Sequence, residues 1–175
     1  MDYESWGGIM KVELKELSLS DGRDIYEMIQ EIGQGENGFF NGGYGLNYDL
    51  FPDYLEGHYK MGRGIGLKQE HVPQTMYWLY INDRPVGIGK LRHYLNDALL
   101  LVGGHIGYTI IPSQRGNGYG NIILGELLKK AKEIGVNKAL LTCNEENIAS
   151  RRVIERNGGV LENIVERKCR YWVLT

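Results

Sequence analysis

In the first half of the chain, some segments have apolar residues at every second position, as in strands, and others have them at every third or fourth position, as in helices. Val12, Leu14 and Leu17 stand among charged residues, which is typical of a half-buried strand. Pro52 falls in the first turn of a segment with helical spacing, where proline is tolerated. The predicted elements are a strand at 11–17, a helix that Ser20 or Asp21 caps and that runs to about 32, a helix at 49–61, and a hairpin with strands at 75–81 and 86–93, which residues 99–102 extend or follow.

The second half alternates strands and helices more clearly. A helix from Gly118 to about Ile134 has an apolar stripe on one side and lysines in its later turns. The last helix stops at Gly158, a usual helix-ending residue. The pattern predicts strands at 105–111, 138–143, 160–165 and 169–174, and this last helix at 147–157. Without an internal repeat, residues 1–175 are expected to form one α/β domain.

Residues 33–47 interrupt this order, because glycines alternate there with aromatic side chains. Such a composition is too rich in glycine for regular structure, so we predict a loop with binding potential. The helix that follows the loop contains Tyr54 and Tyr59. These tyrosines either line a pocket or pack on the sheet, and the pattern does not separate the two.

Composition and charge exclude several classes of partner. The 175 residues hold 20 basic and 22 acidic side chains, a formal net charge of -2, so no general field attracts nucleic acid or an anionic membrane. Cys143 and Cys169 have no metal-ligand spacing and are too few for a disulfide framework. No stretch approaches the roughly 18 apolar residues of a membrane span, and the first ten residues lack a basic, apolar leader. We expect a cytoplasmic protein with no metal, nucleic acid or membrane partner.

The segment from Arg115 to Gly120, with the order Arg-Gly-Asn-Gly-Tyr-Gly, joins a predicted strand to a predicted helix. Its glycines lack the Cβ atoms that keep an anion away, so backbone N–H groups can converge on a pyrophosphate at the helix N-terminus. A dinucleotide fingerprint would need glycine or alanine at Asn121, and a P-loop would need Gly-Lys-Ser/Thr. Neither pattern is present, and a diphosphate bound by backbone amides is the expected ligand.

This segment is similar to the R-x-x-G-x-G segment of the GCN5-related N-acetyltransferases, and Ile110-Ile111-Pro112 resembles the strand end that precedes it in that family. Asn147 and the helix that closes at Glu155 to Gly158 resemble a later block of the same family. The match spans about residues 106–159. Gly87, residues 92–96 and residues 103–108 look like an uncharacterised bacterial branch of these predicted acetyltransferases.

The resemblance implies an α/β (α+β) fold with a mixed, mostly antiparallel central sheet of about six to seven strands, flanked by about four helices. A central pair of parallel strands, 105–111 and 138–143, would splay apart to admit the pantetheine arm of acetyl-CoA, the co-substrate. The amide of Ile110 would then face the thioester carbonyl and stabilise the charge that develops on its oxygen. The residues that the resemblance assigns to cofactor binding are Ile110, Arg115, Gly116, Asn117, Gly118, Tyr119, Gly120 and Asn147.

Asn147 would either hold the pantetheine arm or order the turn before its helix. Proton transfer is where this chain departs from the family. The usual acid is a tyrosine seven residues after that asparagine, and Ile154 occupies its position here. Tyr108 and Tyr119 are the tyrosines nearest to the cofactor turn, and each is expected to pack against the fold. Either another group protonates the departing thiolate, or the thiol leaves unaided and takes a proton from water.

For the base that takes a proton from the acceptor amine, His105 starts the central strand and its ordinary pKa suits pH 7. The same residue has an equal claim to be a histidine hydrogen-bonded at a strand end. His93 and Glu145 are the alternates. Arg92 could bind a substrate carboxylate through its planar guanidinium, although a salt bridge to an acidic residue of the chain is favoured.

The function that the resemblance implies is an N-acetyltransferase that moves an acetyl group from acetyl-CoA to a primary amine of a small molecule or peptide. The loop at 33–47 and the helix after it occupy the part of the chain where this fold recognises the acceptor. A monomer or a homodimer is expected. The alternative is a non-catalytic module that binds acyl-CoA, and the missing tyrosine keeps this alternative open.

Overall fold

Strands form in this protein where β-branched and aromatic residues cluster, and helices form where apolar residues recur every three or four positions. The computed structural model describes residues 2–5 and 8–175. Its strands are β1 (Asp2–Ser5), β2 (Gly8–Glu16), β3 (Gln74–Ile81), β4 (Arg84–Arg92), β5 (Ile106–Ile110), β6 (Lys138–Asn144), β7 (Val160–Val165) and β8 (Lys168–Leu174). Its α-helices are α1 (Arg23–Ile32), α2 (Phe51–Gly62), α3 (Asp97–Leu101), α4 (Tyr119–Glu133) and α5 (Ile148–Arg156).

The described strands form two antiparallel sheets. One sheet has the order β1-β2-β3-β4-β5, and the other has the order β6-β8-β7. The predicted α/β fold with a mostly antiparallel arrangement is confirmed. No ladder joins β5 to β6 among the described residues, and an isolated bridge links Gly104 to Leu141 at their start. The splayed parallel pair expected from these two strands stays a prediction.

Helix α4 packs closely against β4 and β5 through an apolar stripe. Ile123, Leu124 and Leu127 on this stripe are completely buried. Gly89 of β4 makes the close approach possible, because a Cβ atom there would lie 2.8 Å from the Leu127 side chain. The helix is therefore fixed over the sheet, and its N-terminus lies next to the end of β5.

The start of α1 differs from the prediction in its capping. Ser20 or Asp21 was expected to cap the helix, but Gly22 precedes it and no side chain caps it. The Asp21 carboxylate instead accepts hydrogen bonds from the Ser18 amide at 2.8 Å and from the Trp78 indole at 2.6 Å. Because Trp78 is buried in β3, its N–H needs an acceptor, and this tertiary contact takes the carboxylate from the helix end.

Residues 99–102, expected to extend or follow the hairpin, lie in and just after the short helix α3. Asn96 caps this helix, since its side-chain oxygen accepts from the Leu99 amide at 3.0 Å. Over the described residues the protein has eight strands and five α-helices, compared with the six to seven strands and four helices expected. The additions are β1 and α3. None of the described helices is long and apolar enough to cross a bilayer.

Candidate functional site

A cleft of about 840 Å³ lies along β5 and also reaches residues of β4. The loop before α2, the start of α4, β6 and α5 form its other walls. Among the described residues, no group of three histidine, cysteine or acidic side chains could hold a metal ion. Seven of the residues predicted to bind the cofactor line this cleft: Ile110, Arg115, Gly116, Gly118, Tyr119, Gly120 and Asn147.

Asn117 is the predicted cofactor residue that lies outside the lining of the cleft. Its side-chain amide donates to the Gln114 carbonyl at 3.2 Å. The side chain therefore closes the turn from its outer side. Any contact that Asn117 makes with a ligand in the cleft would come from its backbone amide.

The backbone amide of Ile110 points out of the ladder between β4 and β5. Ile110 pairs with Gly87, and the next amide, that of Ile111, donates to the Val86 carbonyl at 2.9 Å. Backbone groups of an antiparallel strand alternate in direction, so the amide and carbonyl of Ile110 face the opposite side. The carbonyl accepts from the Arg115 guanidinium at 3.1 Å. The Ile110 N–H is thus a hydrogen-bond donor on the wall of the cleft.

The turn before α4 presents unused backbone amides. Gly116 and Gly118 both have a φ of 81°, in the left-handed region that side chains rarely adopt. Within the part of the chain that the structure describes, the amides of residues 116–120 have no hydrogen-bond acceptor. The aligned peptides of α4, 15 residues long, add positive potential at this end. The turn is therefore suited to binding an anion.

Arg115 is engaged within the protein. Besides its bond to the Ile110 carbonyl, its guanidinium forms an ion pair with Glu36 at 2.5 Å. This pair fastens the loop before α2 to the turn before α4. The charge of Arg115 is thus partly balanced before any ligand binds.

Two arginines of α5, Arg152 and Arg156, line the cleft beside the turn, and the sequence pattern assigned neither of them a binding role. They are four residues apart and so lie on one face of the helix. Val153 in the same turn packs near Gly120, where a Cβ atom would lie 3.3 Å from it. Neither arginine forms an ion pair with a described carboxylate. Because the sequence already predicted a helix after Asn147, the four-residue spacing of the two arginines could have indicated that they share one face of it.

Asn147 caps α5, because its side-chain oxygen accepts from the Ser150 amide at 3.1 Å. This geometry supports the second of its two expected roles, ordering of the turn. The hydroxyl groups of Ser150 and Tyr108 are 3.3 Å apart, and both residues line the cleft. Burial raises the pKa of Tyr108 to about 12. Ile154, buried at the position of the family's tyrosine, also lines the cleft.

His105 joins the two sheets. Its ring Nδ1 accepts from the Leu140 amide at 2.9 Å, and its own amide donates to the Leu140 carbonyl at 2.7 Å. An amide is always a donor, so Nδ1 must supply its lone pair, and the neutral ring then carries its proton on Nε2. Burial and the nearby Arg92 lower the pKa of His105. This arrangement leaves no ring nitrogen ready to accept a proton.

The two alternates for the base lie elsewhere. His93 Nε2 is 2.8 Å from the Thr75 hydroxyl, and the backbone of Glu145 bonds to Arg151 and Arg167. Neither of them, nor His105, is among the residues that line the cleft. Their proposed catalytic roles stay predictions.

Lys90 of β4 is a cleft residue that the sequence pattern did not single out. Its ammonium group donates to the Phe40 carbonyl at 2.5 Å and lies 4.3 Å from the centre of the Phe39 ring. Burial, with a smaller effect of the neighbouring Arg92, lowers the pKa of Lys90 to about 8. The sequence predicted a strand around Lys90, but it did not predict that the loop with Phe39 and Phe40 would pack against this lysine.

Arg92 follows two residues later on the same face of β4 and also lines the cleft. Its Nη1 donates to the carbonyls of Gly103 at 3.2 Å and Gly104 at 3.0 Å. The salt bridge favoured from the sequence is not formed with any described carboxylate. The guanidinium is therefore held in place by carbonyls, and its charge is unpaired.

Comparison with known families and structures shows the family and the fold. The model of the Acetyltransferase (GNAT) domain matches residues 12–160. No curated protein matches the chain.

Solved acetyltransferase structures share the fold. RimL, a ribosomal L7/L12 alpha-N-protein acetyltransferase in complex with coenzyme A, is 16% identical with a TM-score of 0.69 over 93% of both chains. PseH, an N-acetyltransferase from Campylobacter jejuni in complex with acetyl coenzyme A, is 13% identical with a TM-score of 0.63 over 94% of this chain and 99% of that one. A spermidine N-acetyltransferase chimera from Vibrio cholerae and hSSAT is 16% identical with a TM-score of 0.62 over 93% and 95%.

Proposed function

This chain belongs to the GNAT acetyltransferase family, and we propose that it moves an acetyl group from acetyl-CoA to a primary amine of a small molecule or peptide by direct attack of the amine. The observation that supports this most strongly is the turn at 116–120, whose unused amides lie in the same cleft as the amide of Ile110. A ligand that contains both a diphosphate and a thioester would satisfy both sets of donors.

The residues around the turn fit the phosphates of CoA. The amides of residues 116–120 would hold the pyrophosphate oxygens, and Arg152 and Arg156 would supply charge-assisted hydrogen bonds from α5. Gly116 and Gly118 have open space where a Cβ atom would stand, so nothing blocks the approach of an anion. When bound, acetyl-CoA supplies the thioester whose carbonyl carbon the amine attacks.

Ile110 would donate its N–H to the thioester oxygen. The strand ladder fixes this donor before the reaction begins, so it needs no reorganisation as negative charge develops on the oxygen. Loss of one such preorganised donor typically costs about 2.7–4 kcal/mol of transition-state stabilisation. Ile110 can donate in this way because its N–H has no acceptor in a neighbouring described strand.

Tyr108 offers a hydroxyl to the departing sulfur in place of the tyrosine replaced by Ile154. Its pKa of about 12 lies about 3.5 units above that of an ordinary thiol, roughly 8.5. Complete transfer of its proton would therefore cost about 5 kcal/mol. We propose that Tyr108 stabilises the thiolate by a hydrogen bond and keeps its own proton. The sulfur then takes a proton from water, and the proton that the attacking nitrogen loses returns to water.

Replacing Tyr108 with phenylalanine should lower kcat by about tenfold, because one hydrogen bond to a charged group is lost. The KM for acetyl-CoA should change little, since the bond forms as charge develops on sulfur. Steady-state kinetics would measure both quantities, and the exposed Tyr94→Phe variant is the control. An unchanged kcat in Tyr108→Phe would remove this residue from the mechanism.

The cleft has no histidine among its described lining residues, and its one carboxylate, Glu36, is paired with Arg115. We therefore propose that the acceptor reacts as the neutral amine present in solution. This proposal does not use the base roles predicted for His105, His93 and Glu145, which stay predictions.

Structural relatives act on chemically different amines, as their names state. One modifies the L7/L12 alpha-amino group, and another is named for spermidine. This range supports an amine acceptor for the present chain and specifies nothing narrower.

A panel of amines tests the proposed reaction. Free amino acids, their amides, spermidine and short peptides would each be mixed with protein and acetyl-CoA, and release of the CoA thiol would be followed. Calorimetry with acetyl-CoA alone would report binding separately. Thiol release that depends on protein and on one class of amine supports the transferase. Binding without release for any amine supports the non-catalytic acyl-CoA module, and absence of binding contradicts both.

A further inference from the structure

Lys90 and Arg92 form a cationic pair on the wall of the cleft. They lie two residues apart on one face of β4, while the residue between them, Leu91, is completely buried on the other face. Both side chains are half-buried. A charge removed from water is destabilised unless an opposite charge or several hydrogen bonds compensate it.

The protein compensates these two charges only in part. Lys90 uses one donor on the Phe40 carbonyl, and Arg92 uses Nη1 on two carbonyls. The Nε and Nη2 groups of Arg92 have no partner among the described residues, and no described carboxylate forms an ion pair with either side chain. Several donors and two positive charges are therefore available to a ligand.

The position of the pair separates it from the phosphate end of the cleft. Lys90 is paired with Gly107, three residues before Ile110, which places it about 10 Å from that amide along the sheet. The turn at 116–120 follows β5 at the opposite end. An anion at Lys90 would thus lie on the far side of the thioester from the CoA phosphates, where the acceptor amine must approach.

We propose that the acceptor amine carries a carboxylate, and that Lys90 and Arg92 bind this carboxylate while the amine faces the thioester. The inference rests on the proposed acetyl transfer and narrows its substrate class. The planar guanidinium of Arg92 suits a carboxylate, and the ammonium of Lys90 adds a second charge-assisted bond. The same two charges disfavour a polyamine, which would place cation against cation.

Matched acceptors test the inference by turnover. Free L-amino acids would be compared with their amides, the peptide Ser-Glu-Glu-amide with Ser-Gln-Gln-amide, and spermidine would be included as a polycation. The first pair tests a carboxylate on a small molecule, and the second tests acidic side chains beside a peptide amine. We expect kcat/KM to be at least ~10-fold higher for the carboxylate member of one pair than for its neutral partner.

Variants test whether Lys90 and Arg92 cause the preference for a carboxylate. Lys90→Gln keeps most of the length of the side chain and removes its charge, so the preference should fall by about tenfold while the affinity for acetyl-CoA is retained. Retained acetyl-CoA affinity also shows that the variant is folded. Lys132→Gln, at an exposed position late in α4 and outside the cleft, is the control and should keep the preference.

Equal rates for both members of each pair, or a preference for spermidine, would overturn the carboxylate site and leave the transferase intact. If no amine is acetylated, the proposed transfer fails, and the site is judged by binding. Calorimetry would then titrate N-acetyl-L-glutamate and N-acetylated Ser-Glu-Glu-amide into CoA-bound protein. Binding that Lys90→Gln weakens would support the site, and no binding of either probe would contradict it.

Discussion

At the scale of single residues, His105 connects the two sheets at the point where they separate. Its ring accepts the Leu140 amide, and its backbone bonds to the same residue. A buried amide that loses its acceptor costs about 1–3 kcal/mol. The ring therefore stabilises the fold by satisfying this buried amide.

Replacing His105 with alanine should destabilise the protein by about 1–3 kcal/mol, because the Leu140 amide is left buried without a partner. Asparagine at the same position offers an oxygen close to where Nδ1 stands and should restore most of the loss. Denaturant unfolding of both variants would measure this difference. If His105 were the general base, His105→Ala and His105→Asn would both lose turnover and its dependence on pH near neutrality.

Lys90 makes carboxylate binding depend on pH. Its pKa of about 8 means that it is charged at pH 7 and mostly neutral at pH 9, so affinity for a carboxylate should fall by up to ~10-fold over this range. Of the groups whose charges act on it, Arg92 stays charged throughout, and His58, with a pKa of about 4, stays neutral. Calorimetry with N-acetyl-L-glutamate avoids a titrating amine on the probe.

Lys90→Arg is the matched variant for this pH experiment. Arginine remains charged at pH 9, so the affinity of the variant should be nearly constant between pH 7 and pH 9. A wild-type affinity that is equally constant would mean that the ammonium of Lys90 does not contact the carboxylate.

At the scale of elements, the affinity for acetyl-CoA should depend on the turn before α4. Gly118→Glu would place a carboxylate among the amides of residues 116–120, and acetyl-CoA binding measured by calorimetry should be lost. Gly135→Glu is the control, because Gly135 also has a positive φ and open space around it but lies at the other end of α4. Both variants bear similar backbone strain. Retained binding in Gly118→Glu would mean that the phosphates lie elsewhere.

The turn and α4 could be predicted from the sequence because their determinants are local. Glycines in left-handed positions and an apolar stripe need no knowledge of the rest of the fold. The cap of α1 could not be predicted, because Asp21 bonds to Trp78, a residue 57 positions away. For the same reason, the sequence pattern did not reveal that Lys90 lies under Phe39 and Phe40.

At the scale of the whole molecule, the cleft has one wall in each sheet, and a ligand along it would contact both. β5 belongs to the five-stranded sheet and β6 to the three-stranded sheet. Binding to the folded state at a ligand concentration of 100 Kd adds about 2.7 kcal/mol of stability. For a chain of 175 residues, we expect acetyl-CoA to raise Tm by about 5–10 °C in a thermal unfolding experiment. No shift at saturating ligand would contradict binding in this cleft.

The fold class and the family follow from the sequence, and so does the grouping of seven predicted cofactor residues in one cleft, because the family motif lies in one continuous stretch. The acceptor end does not, since it is assembled from β4, the loop before α2 and the residues before β5. Such an assembly is known only once the register of β4 against β5 is known. The sequence alone therefore could not predict that the charge of Arg92 is unpaired.

Direct transfer of the acetyl group is the central claim, and mass spectrometry of both products of a single turnover tests it. Protein would be mixed with a stoichiometric amount of acetyl-CoA and an excess of the best amine of the panel. We expect the acetyl group on the amine, free CoA in equal amount, and unmodified protein, including Cys143 in the cleft. An acetyl group retained on the protein, or no acetylated amine while acetyl-CoA is bound, would contradict the claim.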